Sequence, residues 1–123
     1  MDNADSDYGR FQKVMKGIND SLTDISKETE ELSIAQIRVL IFVMRRENVT
    51  GAEIAKGLDL SRPTVSRCLS TLDIDDKARR RNKPPLGFIK LIKGDSTTDT
   101  RSKTAVLTAK GKKMAERIVG YFG

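Results

Sequence analysis

The sequence predicts a mainly α-helical fold with one small β-hairpin towards its C-terminal end. Two closely spaced amphipathic helices, each preceded by a residue that can cap it, come before the hairpin. Two strand-like runs, at 87–93 and 104–107, flank a polar stretch at 94–103 and indicate the hairpin. A helix-turn-helix followed by a basic hairpin is the layout of a winged helix-turn-helix, preceded here by one further helix of the dimerisation type.

Length and composition limit the classes of function. With 123 residues the chain has the size of one domain, and 33% of its residues are charged. No apolar run reaches the roughly 18 residues that span a bilayer, and the acidic N-terminus does not resemble a secretion signal. A single Cys excludes a disulfide framework. We therefore expect a cytoplasmic protein without a membrane partner.

Side chains that carry chemistry are scarce. The chain has no His, the commonest general base and metal ligand, and one Cys cannot form a zinc cluster. It also lacks a Gly-rich phosphate-binding loop. We expect no catalytic residue, no metal and no cofactor, and therefore no enzyme. Cys68 lies on the apolar stripe of its helix, which favours a packed small hydrophobe over a redox switch.

The net charge of +6 is unevenly distributed. Residues 1–31 hold eight acids and four bases, whereas the rest of the chain holds nineteen bases and nine acids. A basic body suggests a polyanionic partner, and the acidic segment suggests a separate task. We expect an amphipathic assembly helix over residues 1–31 and a DNA-binding domain over residues 32–123.

An apolar residue recurs every three or four positions along the N-terminal segment. This spacing is typical of the narrow seam along which two helices pack. The stripe covers the domain's own core, forms a homodimer contact, or does both. A homodimer would suit a two-fold DNA site. The predicted dimerisation residues are Tyr8, Phe11, Met15, Ile18, Leu22 and Ile25.

The segment after Ser33 predicts a helix at the centre of the domain. Ser33 and Gln36 have the spacing of a capping box, in which each side chain bonds to the other residue's backbone N–H. Apolar residues then occur almost all round, as in a helix surrounded by core. The expected inward face comprises Ile34, Ile37, Leu40, Ile41 and Met44, widened by Val39, Phe42 and Val43.

Two shorter helices follow. Thr50 and Glu53 form a second capping box, Asp59 occupies the turn where Gly is usual, and Ser61 caps the second helix. The outward face of that second helix is short, polar and basic, which suits a helix lying in the major groove of DNA. The expected inward residues are Val65, Cys68, Leu69 and Leu72.

Residues 32–40, 52–58 and 60–67 resemble the DNA-binding core of the MarR family of transcriptional regulators. The hairpin is similar too, with an Asp-x-Arg element at Asp99 and Arg101 and a Leu-Thr-x-x-Gly ending at 107–111. The resemblance covers about residues 32–118. It implies a homodimer that binds palindromic double-stranded DNA, in most cases as a repressor.

The resemblance also implies roles for individual residues. The helix after Ser61 would meet the major groove, Arg101 would reach the minor groove, and Asp99 would pair with Arg101 and brace the loop. Many family members respond to a small molecule or to Cys oxidation, but nothing in this sequence indicates an effector. The residues predicted to bind DNA are Thr50, Ser61, Arg62, Thr64, Ser66, Arg67, Thr71, Arg79, Arg80, Arg81, Lys83, Asp99, Arg101 and Lys103.

Two features depart from the family pattern. The connection from recognition helix to hairpin, residues 73–86, is longer than usual, and 77–85 carries five bases. This stretch is either a basic arm that follows phosphates or a solvated loop. Only about a dozen residues, 109–121, follow the hairpin, which is short for the family's C-terminal dimerisation helices. Dimerisation would lean on the N-terminal stripe, or the protein would be monomeric.

The function predicted from the sequence is that of a sequence-specific, double-stranded DNA-binding transcriptional regulator, most simply a repressor. One alternative is a replication or packaging accessory protein that uses the same fold to mark an origin or an end. Another is a winged-helix protein-interaction module whose acidic helix is the contact surface. Base-specific footprinting separates the first two from the third.

Overall fold

The computed structural model describes residues 3–28, 32–46, 48–75, 86–93 and 103–122. The predicted mainly helical chain with a small antiparallel wing is confirmed over these ranges. No helix within them is long and apolar enough to cross a membrane. The elements in chain order are α1 (Asn3–Glu28), α2 (Ile34–Arg45), β1 (Val49–Thr50), α3 (Gly51–Leu58), α4 (Arg62–Leu72), β2 (Ile89–Lys93), β3 (Lys103–Leu107) and α5 (Ala109–Phe122).

The chain divides into two compact units. One unit comprises Met1–Glu31 and Lys113–Gly123, and the other comprises Leu32–Lys112. The second unit contains the helix-turn-helix, formed by α3 and α4, and the wing, formed by β2 and β3. The first unit contains α1 and most of α5.

The central helix of the second unit is α2, which contacts α3, α4 and β3. Its capping box is confirmed: Gln36 N–H donates to Ser33 Oγ over 3.1 Å, and Ser33 N–H donates to Gln36 Oε1 over 2.7 Å. Its buried residues are Val39, Leu40, Phe42 and Val43.

The expected inward face of α2 is wrong at two positions. Ile34 is 78% exposed and Ile41 is 41% exposed. Both residues lie on the opposite side of the helix from Val39, Leu40 and Val43, which are fully buried. The helix is therefore amphipathic and is not surrounded by core.

The turn between α3 and α4 holds α3 against α2. Asp59 ends α3 in the left-handed conformation, with φ 54° and ψ 48°, so Asp replaces the usual Gly here. Arg38 of α2 donates from Nη2 to the carbonyl oxygen of Leu58 over 2.8 Å, satisfying a helix-end acceptor. An ideal Cβ at Gly57 would lie 2.6 Å from the Phe42 ring. Neither contact could be predicted from the sequence, because the paired residues lie far apart along the chain.

The sheet has three antiparallel strands in the order β1-β3-β2. In the wing, Ile89 pairs with Leu107 and Lys93 pairs with Lys103. The third strand, β1, pairs Val49 with Ala105. The sequence did not predict β1, because two residues are too short a run to show the alternation of a strand.

Backbone hydrogen bonds join the end of α4 to the start of the wing. Phe88 N–H donates to the Leu72 carbonyl over 3.1 Å, and Ile74 N–H donates to the Ile89 carbonyl over 2.8 Å. The ends of the long connection, residues 73–86, are therefore held next to each other.

The Leu-Thr-x-x-Gly ending closes the wing onto α5. Thr108 Oγ1 donates to the Gly87 carbonyl over 2.5 Å and accepts from Gly111 N–H over 3.1 Å. Leu107 is buried. A Cβ at Gly111 would overlap the carbonyl oxygen of Phe88, so this position has no room for a side chain.

In the first unit, α1 and α5 are joined by a buried carboxylate. Asp24, 6% exposed, accepts from Arg117 Nε at 2.8 Å, from Arg117 Nη2 at 3.1 Å, and from the Tyr121 hydroxyl at 2.7 Å. The hydrogen bonds from Arg117 hold the pKa of Asp24 below its ordinary value. An ideal Cβ at Gly17 would lie 2.5 Å from the Phe122 ring. The two helices therefore approach closely along this line.

Candidate DNA interface

The recognition helix α4 is fixed by its apolar face. Val65, Cys68, Leu69 and Leu72 are buried, as the sequence predicted. Burial raises the pKa of the Cys68 thiol, which disfavours the thiolate that reacts with oxidants. This packing directs the polar face of α4 outwards.

Two of the predicted DNA-binding residues stabilise the start of α4. Thr64 N–H donates to Ser61 Oγ over 3.2 Å, so Ser61 caps the helix as predicted. The Ser61 hydroxyl in turn donates to Thr64 Oγ1 over 2.7 Å. Pro63 lies in the first turn, where its missing N–H is tolerated. Ser61 and Thr64 therefore have a structural task in addition to any contact with DNA.

Two further predicted residues bond within the helix. The Thr71 hydroxyl donates to the Arg67 carbonyl over 3.1 Å, and Gln36 Nε2 donates to Thr71 Oγ1 over 3.5 Å. Arg67 Nε donates to the Pro63 carbonyl over 3.4 Å. Thr71 is half-buried, whereas Arg67 is exposed. Arg67 is thus oriented by its own helix while its guanidinium faces solvent.

A groove runs between α4, the start of α3 and the wing. It has a volume of about 650 Å³, and its polar lining includes Arg62, Ser66, Ser70 and Lys103. Thr50 forms part of the wall, but its hydroxyl and N–H are engaged with Glu53 in the capping box. The structure therefore brings four predicted DNA-binding residues, Thr50, Arg62, Ser66 and Lys103, to one groove.

Ser70 was not among the predicted DNA-binding residues. It is exposed and follows Arg62 and Ser66 at a spacing of four, which places all three on one side of α4. That spacing was the available signal in the sequence. Within the described ranges, the side chains of these three residues have no hydrogen-bond partner.

Other predicted residues lie outside the described residues. They are Arg79, Arg80, Arg81 and Lys83 of the basic segment and Asp99 and Arg101 of the wing tip. Within the described ranges, no cluster of His, Cys, Asp or Glu could hold a metal ion.

The predicted dimerisation stripe on α1 is largely exposed. Tyr8 is 62% exposed and Leu22 is 43% exposed, and Phe11, Met15 and Ile18 lie between these values or close to them. Ile25 is the exception at 2%, because it is buried within its own chain. The face of α1 that carries Gly17, Ser21 and Asp24 is buried, so it is distinct from the exposed stripe.

Comparison with known proteins finds a family model that matches part of the chain. A model described as "MarR family" matches residues 31–73, which contain α2, α3 and α4. No curated protein is significantly similar to the chain.

Solved structures share the fold over most of the chain. A DNA complex of Staphylococcus aureus MepR is 23% identical, with a TM-score of 0.62 over 91% of this chain and 81% of that one. A MarR transcriptional regulator from Methanosarcina mazei Go1 is 20% identical, with a TM-score of 0.59 over 98% and 75% of the two chains. Reduced AbfR bound to DNA is 19% identical, with a TM-score of 0.57 over 97% and 75% of the two chains. Residues 31–73 are thus similar to the MarR family, and the chain has the winged-helix fold of these solved structures.

Proposed function

We propose that this protein is a sequence-specific, double-stranded DNA-binding transcriptional regulator that acts as a repressor in the cytoplasm. The observation that carries the proposal is the exposed face of α4. This face contains Arg62, Ser66, Arg67 and Ser70, and the whole helix contains no acid. Short side chains with hydroxyl groups, next to cationic side chains, suit contacts with phosphates and base edges in a major groove.

The similarity to DNA-bound structures supports the same proposal. MepR and AbfR have both been solved with DNA, and this chain shares their fold. The basic balance of residues 32–123 favours an anionic partner. In this proposal α4 enters the major groove, and the wing carries Arg101 towards the minor groove, with Asp99 bracing it.

The proposal assigns the basic segment to DNA as well. Arg79, Arg80, Arg81 and Lys83 would follow phosphates beside the wing as a basic arm. Each neutralised phosphate lowers the logarithm of the binding constant by about 0.9 for each tenfold rise in salt concentration. Neutralising the three arginines together should therefore weaken binding and flatten the salt dependence, and an unchanged slope would reject the arm.

Assembly is assigned to the N-terminal helix. We propose that residues 1–31 form the assembly helix, residues 32–123 form the DNA-binding domain, and two copies pair through the exposed stripe on α1. Five predicted residues remain available for this contact, since Ile25 is buried within its own chain. A large apolar stripe that its own chain leaves exposed is typical of an interaction surface.

The function is tested by titrating the protein with a pool of random duplexes at two salt concentrations and sequencing the DNA that stays bound. Tight, salt-sensitive binding that enriches an inverted repeat supports a dimer that binds a specific operator. Salt-sensitive binding without enrichment would point to an architectural or loading role. No binding at low salt would reject DNA as the partner and leave the protein-interaction module.

A further inference from the structure

The side of α4 that faces the wing differs from its outer edge. Each step of four residues along an α-helix turns the side chain by about 40°, so Arg62, Ser66 and Ser70 follow one slowly turning line. All three line the groove. Arg67 does not line it and lies on the outer edge of the helix. The polar residues of α4 are thus divided between two surfaces.

The groove has the chemistry of a site for phosphates. Arg62 lies on one side and Lys103, the first residue of β3, on the other, and no acid among the described residues lines the groove. Ser66 and Ser70 supply hydroxyls that no described residue engages. Gly51 and Ala52 bring the N-terminus of α3 to the groove, where the helix dipole favours negative charge.

The groove is poorly suited to a small-molecule effector. Small-molecule pockets are mostly apolar and enclose most of the ligand surface. Leu69 and Leu91 line the groove together with two cationic and three hydroxyl-bearing side chains, so its lining is not mostly apolar. The groove is also open to solvent along α4, whose Arg62, Ser66 and Ser70 are all exposed. An extended polyanion fits this shape better than a compact ligand.

Arg67 is suited to a different task. Its Nε donates to the Pro63 carbonyl, which restricts the direction of the side chain. Its terminal nitrogens have no partner among the described residues and face away from the core. Arg in this setting can donate two parallel hydrogen bonds to the O6 and N7 atoms of a guanine.

We propose that one DNA strand lies with its sugar-phosphate backbone in the groove between α4 and β3, where Arg62, Ser66, Ser70 and Lys103 bind phosphates and Arg67 discriminates bases. This rests on the proposed function as a DNA-binding protein. It assigns Ser66 to backbone positioning and adds Ser70 as a DNA contact. Contacts with phosphates fix the position of the protein but carry no sequence information directly.

The experiment compares two duplexes of equal length, one enriched from the random pool and one with its sequence scrambled. Dissociation constants are measured by fluorescence anisotropy at four salt concentrations for the wild type and for R62A, S66A, S70A, K103A and R67A. Thermal unfolding checks that each variant is folded, and K103Q replaces K103A if the latter is not. If the wild type binds neither duplex, the proposed DNA-binding function is rejected. The division of roles between the groove and Arg67 is tested by the variants of a protein that binds DNA.

The groove variants should weaken binding to both duplexes by the same factor. R62A and K103A should each reduce the salt slope by about 0.9, since each removes one phosphate contact. S66A and S70A should weaken binding about threefold to tenfold with an unchanged slope, as expected for one hydrogen bond. R67A should lower the ratio of the two affinities by about tenfold. A groove variant that lowers this ratio, or an R67A variant that preserves it, overturns the proposal.

Lys93 provides the matched control. It is exposed and pairs directly with Lys103 across the wing, but it does not line the groove. K93A therefore removes the same charge from the same hairpin outside the groove. It should change the salt slope less than K103A does. An equal change would mean that the groove has no special share in phosphate binding, which also overturns the proposal.

Discussion

At the scale of single residues, Gly111 determines how the wing joins α5. A Cβ at this position would overlap the Phe88 carbonyl oxygen, and backbone cannot move aside as a flexible side chain can. We expect Gly111→Ala to destabilise the protein by about 3 kcal/mol, the upper range for overpacking, although Ala favours helices. Urea unfolding followed by circular dichroism measures this difference.

Gly120 is the matched control on the same helix. Its Cβ position has no atom within 4 Å, so Gly120→Ala changes helix propensity alone. This substitution should stabilise α5 by up to about 1 kcal/mol. Equal effects of the two substitutions would contradict the close approach of Gly111 to Phe88.

Cys68 lies on the buried face of α4 and is 4% exposed. Its raised pKa and its burial both predict slow reaction with a thiol reagent in the native state. We expect labelling by a chromogenic disulfide to be slow in buffer and fast in urea, and DNA affinity to be unchanged by mild peroxide. Rapid native labelling with loss of DNA binding would instead support a redox switch.

At the scale of elements, the pairing of α1 with α5 depends on Asp24. We expect Asp24→Asn to destabilise the protein by about 2 kcal/mol, because it weakens a buried, charge-assisted pair. Arg117 is half-exposed and can be solvated after the change, which keeps the loss moderate. Chemical denaturation at pH 7 measures it.

The effect of Asp24 also depends on pH. Hydrogen bonds from Arg117 lower the pKa of Asp24 in the folded state. Its contribution is therefore complete above the ordinary Asp pKa of about 3.9 and is lost as the pH falls below that value through the lowered pKa. The stability difference between wild type and D24N should narrow over that range. Asp20→Asn, which removes the exposed ion pair with Lys16, should change the stability far less than D24N does at neutral pH.

The sequence predicted the local elements better than the contacts between them. The capping boxes at Ser33 and Thr50 and the turn at Asp59 could be predicted from the sequence, because they depend on neighbouring residues. Asp24 and Arg117 are 93 positions apart, and no local pattern links them. The exposure of Ile34 could not be predicted either, because an apolar residue type does not show which side of a helix packs against other elements.

For the candidate site, the sequence predicted several of the residues but not how they are grouped. Arg62, Ser66 and Lys103 were identified by residue type and by their place in the motif, and the structure brings them to one groove. The division between that groove and the edge with Arg67 needed the position of β3. Ser61 and Thr64 were assigned to DNA, but their hydrogen bonds to each other could only be seen in the structure.

At the scale of the whole molecule, the α1 stripe predicts the assembly state. We expect the wild type to sediment at twice the 13.7 kDa chain mass at micromolar concentration, and Met15→Glu to sediment as a monomer. A charge in the centre of an apolar contact is costly to desolvate. Analytical ultracentrifugation distinguishes the two states.

Thr23→Glu is the control for that experiment. Thr23 is exposed on the same helix and lies about 100° round the helix axis from the centre of the stripe, so the substitution adds the same charge away from it. This variant should remain a dimer. A monomeric wild type, or dissociation of both variants, would reject the stripe as the contact.

The joined ends of the connection between α4 and β2 also have an evolutionary consequence. Since Leu72 bonds to Phe88 and Ile74 to Ile89, the recognition helix and the wing are aligned by these bonds and not by the length of chain between them. Doubling the length of a connecting segment costs only about 0.6 kcal/mol of loop-closure entropy. Insertions can therefore accumulate in this connection while the recognition helix and the wing stay aligned. Shortening the connection to a few residues, or grafting a reporter peptide into it, should leave the fold intact.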